Sequence, residues 1–291
     1  MIVGEVLFDN FPDGQSILGG APFNVAWNLQ GFGMEPEFVS AIGDDDAGQR
    51  ITDRMKSWKM STAGLQTNEQ PTGEVQVTFQ DGQPSYEIVP DRAFDFLKMP
   101  EFPVTSTGFA MLYLGSLASR NAVSRDTIRQ IIADSDLPRF VDINIRMPWF
   151  DKKWLHTLLH GAQWVKLSDE ELSQLTDTPC KTADEIRAGV QRLSVEFGGE
   201  QFFVTCGSRG AYAVTGGELI VADAPNPNPM RDTVGAGDAF AATTIYGLLS
   251  GWDLQRTIRT ATRFASRVCG LTGATTDDAA LYQSVNDGMV T

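Results

Sequence analysis

The sequence predicts an α/β sandwich on a mostly parallel sheet, and three observations predict it. Short apolar runs alternate with helical patterns along most of the 291 residues. Several of those runs are apolar almost throughout rather than at every second position, as strands covered by helices on both faces must be. No internal repeat, linker or low-complexity tract divides the chain, so residues 1–291 are expected to form one domain. With 42% hydrophobic residues it can bury a large core.

Taken in order, the expected strands are Ile2–Phe8, Glu37–Ile42, Met111–Gly115, Phe140–Ile143, Trp164–Leu167 and Phe202–Thr205. The expected helices are Pro22–Gln30, Ala47–Trp58, Ser124–Ala133, Ala183–Phe197, Ala236–Leu249 and Leu254–Cys269. Pro22 suits a first helical turn, where a missing N–H costs nothing, and Gly31 and Gly33 lie just past the expected end. Thr72–Pro90 breaks the rhythm: an alternating strand, an Asp-Gly turn and a second strand make a hairpin. Set between βα units, it should project from the main sheet, with Gln15–Leu18 placed to pair with it. The expectation is a small β-lid of about residues 11–19 and 72–91 over the C-terminal strand edge, where ligands of open α/β sheets bind.

Composition removes whole classes of function. The formal charge is −14, and a surface that acidic repels nucleic acid and anionic membranes, so neither is expected as a partner. Cys180, Cys206 and Cys269 have no paired spacing, which excludes a disulfide framework and a zinc site. The N-terminus has no basic n-region and no run approaches the ~18 apolar residues of a span, so the cytoplasm is the expected compartment. There is no G-x-x-x-x-G-K-[ST], no G-x-G-x-x-G after the first strand and no G-x-S-x-G. His156 and His160 are four apart but lack a third ligand.

The chemistry is concentrated in "DTVGAGDAFAAT", Asp232–Thr243. Backbone N–H groups at a helix start are unpaired and partly positive. Gly235, Ala236 and Gly237 have almost no side chain, so an anion, most often a phosphate, can approach those groups closely. Asp238 then stands beside the anion. A carboxylate there is unfavourable unless it works, and accepting a proton from an attacking hydroxyl is such work.

This run resembles the C-terminal motif of the ribokinase-like (PfkB) carbohydrate kinases. "GGAPFNVAWNLQGFG", Gly19–Gly33, followed by "SAIGDDDAG", resembles the family's N-terminal glycine motif. The two stand in the right order near opposite ends. Other stretches look like the fructokinase side of the family. The resemblance implies a ribokinase-like three-layer α/β/α sandwich with a β-lid, and an ATP-dependent phosphotransferase acting on a sugar hydroxyl, with fructose the leading acceptor. It leaves open 2-keto-3-deoxygluconate, a modified sugar or a nucleoside as acceptor, and a non-catalytic sensor as a second class. A homodimer through the lid strands is expected, since an uncovered edge seeks a partner.

Residue by residue, the resemblance gives Asp9 of "GEVLFD" to the sugar hydroxyls, two of which one carboxylate can accept. Gly19 and Gly20 become a hinge between lid and body, and Asn24 a further sugar contact. Asn144 and Arg146 of "VDINIR" alternate along an extended segment and can both face the crevice. Arg92 of "PDRAFD" is a second candidate cation near the acceptor. On the ATP side are Lys166 and Ser168 of "KLSDEEL", then Thr205, Gly207 and Gly210 of "VTCGSRGAY", and Thr262, Gly273 and Ala274 beside adenine. Glu171 is the candidate for Mg²⁺, which keeps its waters and needs few carboxylates. Ser168 departs from the Asn of many members. Asp232 and Thr233 resemble a monovalent-cation loop that would hold K⁺.

Overall fold

The computed structural model describes residues 1–80, 83–225 and 230–286. Thirteen strands and nine helices are present among them. In chain order the first are β1 (Ile2–Val3), β2 (Leu7–Asn10), β3 (Ser16–Gly19), α1 (Ala21–Gly31), β4 (Phe38–Gly43), α2 (Asp46–Ser57), β5 (Leu65–Asn68), β6 (Gly73–Gln80) and β7 (Gln83–Ile88). The middle of the chain forms β8 (Leu112–Gly115), α3 (Ala122–Asp134), β9 (Arg139–Asp142), α4 (Lys152–Leu159), β10 (Trp164–Ser168), α5 (Asp169–Thr176) and α6 (Ala183–Phe197). The last part forms β11 (Gln201–Thr205), β12 (Ala211–Thr215), β13 (Glu218–Ala222), α7 (Ala236–Leu249), α8 (Leu254–Val268) and α9 (Ala279–Asn286).

Nine strands make the main sheet, in the order β13-β12-β11-β10-β9-β8-β1-β4-β5. Every neighbouring pair is parallel except β11/β12 and β12/β13. The unbroken apolar runs have a direct cause. Leu112 and Leu114, Val165 and Leu167, and Phe202 and Val204 face one core, together with Ile128, Leu155, Leu172 and Ile186 of α3 to α6. Tyr113, Phe140 and Phe203 point to the other face, into a core built with Phe23, Ile51, Phe240, Phe264 and Tyr282 of α1, α2, α7, α8 and α9. Side chains alternate across a strand, so a sheet with two buried faces needs apolar residues at every position. The result is three layers, the α/β/α sandwich that the resemblance implies.

A second sheet runs β3-β2-β6-β7, and here two expectations are corrected. Ile2–Phe8 is not one strand. Its first two residues belong to the main sheet, the chain crosses at Gly4–Val6, and Leu7 onward belongs to the second sheet. Gly4 makes the crossing possible, because a Cβ there would lie 2.2 Å from Pro22 Cγ. Asp9 is therefore carried by the second sheet, not by the first strand of the main one. The Gln15–Leu18 piece also pairs differently. It forms β3, which pairs antiparallel with β2, while β2 pairs parallel with β6 and separates β3 from the hairpin. A tight turn closes β2 on β3, with the Phe11 N–H donating to Gln15 O at 2.8 Å. The hairpin itself is present as β6 and β7, and its expected Asp81-Gly82 turn lies outside the described residues.

Strands β5, β12 and β13 and helices α4, α5 and α9 were not among the sequence expectations. Gly31 is also the last residue of α1, not a residue beyond it. No helix among the described residues is long and apolar enough to cross a membrane.

Candidate active site

At the C-terminal edge of the main sheet α1 and α7 both begin. Gly235 precedes α7 with φ 79°, and a Cβ there would stand 2.4 Å from Ala274 Cβ. Only glycine fits that left-handed, crowded position. No side chain caps α7. The Ala236 N–H donates to Thr233 O at 3.3 Å, so of the three expected anion-binding residues it already has a backbone partner.

Asp238 lies in the first turn of α7, and the Asn24 amide donates to its Oδ2 at 2.7 Å. This is a contact between the two glycine motifs, 214 residues apart in sequence. Burial raises the Asp238 pKa, opposed by Lys166, the Asn24 hydrogen bond and Arg146. Lys166 arrives from β10: its Nζ would be 3.1 Å from a Cβ on Gly237, so the ammonium sits against the start of α7. It pairs with Asp142 at 2.9 Å, and the Tyr113 hydroxyl donates to the other Asp142 oxygen at 3.2 Å. Burial pulls Lys166 down, but Asp142, Glu171 and Asp238 together outweigh it and hold the ammonium charged. Burial likewise pushes Asp142 up, to about 7, against the pull of Lys166. We take the pair as ionised, because three carboxylates surround one lysine and the lysine is the group that keeps its proton.

Glu5 completes the cluster and was not singled out in the sequence. It lies in the crossing between β1 and β2, only 2% exposed, and its Oε2 has no hydrogen-bond partner. Burial pushes its carboxyl up to about 7, with Asp238 adding to the rise and Arg146 and Arg120 opposing it. Sequence showed Glu5 and Asp142 only as the acidic members of "GEVLFD" and "VDINIR"; their convergence is a product of the fold.

On the second-sheet side, Asp9 is half-buried and burial raises its pKa to about 6. It lies beside Gly19, whose Cβ would be 3.3 Å from Asp9 Oδ2. Gly20 has φ 105°, and a Cβ there would be 2.6 Å from Glu5 O, so the two crossings between the sheets touch. Arg92 is not a free cation: it pairs with Glu74 at 2.6 Å. The Asn144 backbone is tied to Ser116, whose hydroxyl donates to Asn144 O at 2.8 Å. Arg146 is exposed and donates to its neighbour's carbonyl, Ile145 O, at 3.0 Å.

On the opposite side, Ser168 caps α5 and forms a capping box with Glu171. Glu171 Oε2 accepts from the Ser168 N–H and Oε1 from the Ile145 N–H, both at 2.8 Å. Thr205 ends β11. Gly207 and Gly210 shape the following turn with φ 57° and 99°, and the Cys206 N–H donates to Gly210 O at 2.8 Å. Thr262 is buried inside α8, and its hydroxyl donates to Ile258 O at 2.7 Å. Gly273 and Asp232 meet: the Gly273 N–H donates to Asp232 Oδ2 at 3.4 Å, while Arg231 and Asp232 both donate to Cys269 O. The Asp232–Thr233 and Gly270–Ala274 segments are thus neighbours. Among the described residues no group of three or more His, Cys, Asp or Glu is arranged to hold a metal.

The chain as a whole is similar to known proteins. Residues 9–280 match the pfkB family carbohydrate kinases. The chain belongs to that family. It is a sugar kinase, a phosphotransferase with an alcohol acceptor. Among pfkB relatives, a fructokinase of Klebsiella pneumoniae is 29% identical over 263 residues, covering 85% of this chain and 83% of that protein. The fructokinase of Vibrio cholerae, solved with fructose, ADP and calcium bound, superposes with a TM-score of 0.78 at 26% identity over 97% of both chains. The aminoimidazole riboside kinase of Salmonella enterica shares the fold, with a TM-score of 0.82 at 22% identity, over 100% of this chain and 99% of that one.

Proposed function

We propose that this pfkB kinase transfers the γ-phosphoryl group of ATP to a primary hydroxyl of a small neutral sugar, with fructose the leading acceptor. The observation that carries the reading is Asp238, buried in the first turn of α7 with its Oδ2 held by Asn24 at 2.7 Å. In this mechanism Asp238 takes the proton of the attacking hydroxyl. The backbone at Gly235, Ala236 and Gly237 and the Lys166 ammonium stabilise charge on the transferred group. Asn24 orients the base, and Asp142 with Tyr113 orients Lys166. Asp9, with Asn144 and Arg146 opposite, orients the sugar. The turn at Thr205–Gly210 and the segment at Gly273–Ala274 receive the nucleotide, with Thr262 acting from behind through α8.

Mg²⁺, when bound with ATP, would neutralise phosphate charge, and Ser168 and Glu171 would hold its waters. K⁺ would sit between the Asp232–Thr233 and Gly270–Ala274 segments. The second sheet, β3-β2-β6-β7, acts as a lid hinged at Gly19 and Gly20 within a single domain, and it excludes water that would hydrolyse ATP. Its edge strand β7, where Tyr86 is 57% exposed, offers a surface for a homodimer.

The charges favour a neutral acceptor over an acidic one such as 2-keto-3-deoxygluconate. Glu74 neutralises Arg92 and so removes one of the two candidate cations on the acceptor side. Fructose is supported by the fructokinase relatives; a modified sugar or a nucleoside is the second reading. A sugar panel in a coupled ADP-release assay tests this, with fructose expected to give the highest kcat/KM. Faster turnover of acidic sugars overturns the neutral-acceptor reading. Binding of ligands with no ADP release for any acceptor would make the protein a sensor.

A further inference from the structure

The start of α5 faces two ways. On one side Glu171 holds the Ile145 N–H of the segment that carries Asn144 and Arg146. On the other side Asp169, the first residue of the helix, reaches the turn that follows β11. Its Oδ2 accepts from Arg209 Nη2 and, at 2.9 Å, from Lys181 Nζ. Arg209 also donates to Lys181 O. Arg209 is the last residue of the short helical turn Gly207–Arg209, between the two positive-φ glycines.

This ion pair is built in a costly way. The Asp169 side chain is 1% exposed, whereas those of Arg209 and Lys181 are 42% and 55% exposed. Both cations converge on one oxygen, and the other, Oδ1, is buried with no hydrogen-bond partner. Burial works against the Asp169 anion, but its hydrogen bonds and the charges of Lys181 and Arg209 outweigh that and hold its pKa below the ordinary value. The pair also fixes position. The turn closes on itself through the Cys206 N–H to Gly210 O and the Arg209 N–H to Cys206 O, and Arg209 is its long side chain that ties it to α5.

Resting on the kinase reading above, we propose that Asp169 is a positioning residue for the nucleotide. Through Arg209 it locks the Thr205–Gly210 turn to the start of α5, so that this turn and the Ser168/Glu171 element present themselves to the phosphates as one rigid unit. Asp169 itself touches neither substrate. Its effect is preorganisation: without the lock, nucleotide binding must also order the turn.

Calorimetric titration with a non-hydrolysable ATP analogue and Mg²⁺ tests this without any acceptor. Asp169→Asn and Arg209→Ala are each expected to weaken binding by about tenfold. Arg209→Lys should recover part of the loss. Lys181→Ala should change it less than about twofold, since Asp169 keeps its arginine. Arg209→Ala removes a side chain that is 42% exposed, so it keeps the test open if Asp169→Asn does not fold. Unchanged affinity in Arg209→Ala, or an equal loss in Lys181→Ala, overturns the lock and leaves the kinase reading standing. A wild-type protein that binds no adenine nucleotide overturns both.

Discussion

Asp238 and Glu5 are two buried carboxyls of one cluster with opposite duties. As the proposed base, Asp238 must be ionised when the acceptor arrives; burial raises its pKa, and Lys166, the Asn24 hydrogen bond and Arg146 oppose that rise. Asp238→Asn should lower kcat by ~10²–10⁴-fold while the Kd for the sugar stays near its wild-type value; turnover near wild type would remove Asp238 as the base. For Glu5 burial outweighs the opposing pull of Arg146 and Arg120. Its pKa rises from 4.5 to about 7 because burial disfavours the anion. The folded state therefore holds a proton that the unfolded chain has released, and stability falls as pH rises from about 4.5 to 7. The whole effect is on the order of 3 kcal/mol. Glu5→Gln has no charge to bury, so its Tm advantage over wild type should be larger at pH above the folded pKa of about 7 than near 4.5. Parallel Tm–pH curves for the two proteins would show that Glu5 does not titrate there. Asp238 was legible in sequence because its glycines and its helix are its immediate neighbours. Glu5 and the Asp169–Arg209 pair were not, because their partners are brought in by sheet order and no local pattern encodes that.

At the scale of elements, local chemistry was read well wherever one element carries its own boundary. Ala183–Phe197 and Ala236–Leu249 form as α6 and α7 with the expected ends. The β1/β2 break was hidden because residues on both sides of the crossing are apolar and buried, so the run Ile2–Phe8 does not change character when it changes sheet. The junction before α7 gives an element-scale prediction. Gly235→Ala forces a side chain into the left-handed region, at about 1–2 kcal/mol, and against Ala274. It should lower Tm and, by displacing the Gly273–Ala274 segment, raise KM for ATP more than KM for the sugar. Equal changes in the two KM values would disconnect that segment from the nucleotide.

At the scale of the whole molecule, two copies at −14 each repel one another, so any dimer must form against that repulsion. Association through β7 should strengthen as salt rises, because screening weakens the repulsion while leaving strand pairing intact. Light scattering behind a sizing column should show twice the chain mass, with the monomer fraction falling from low to physiological salt. A monomer at every salt concentration would leave the β7 edge unpartnered. The three-layer plan was legible from the alternation of apolar runs and helices. Strand order and the second sheet's pairing were not, since they depend on which edges meet after the chain has folded.

The contact of Gly20 with the Glu5 backbone has a consequence for how chains of this kind can diverge. Gly20 opens α1, and its carbonyl accepts from the Asn24 N–H at 2.9 Å. One residue inserted between Gly19 and Asn24 would turn the rest of α1 by about 100° and swing the Asn24 amide away from Asp238. The Asp13–Gly14 turn at the far end of β2 and β3 is exposed, with open space around Gly14. Lengthening it changes what the second sheet reaches and leaves the register of the chemistry alone. Descendants of this chain should therefore acquire new acceptors by insertions at that tip and keep the count from Gly19 to Asn24 fixed.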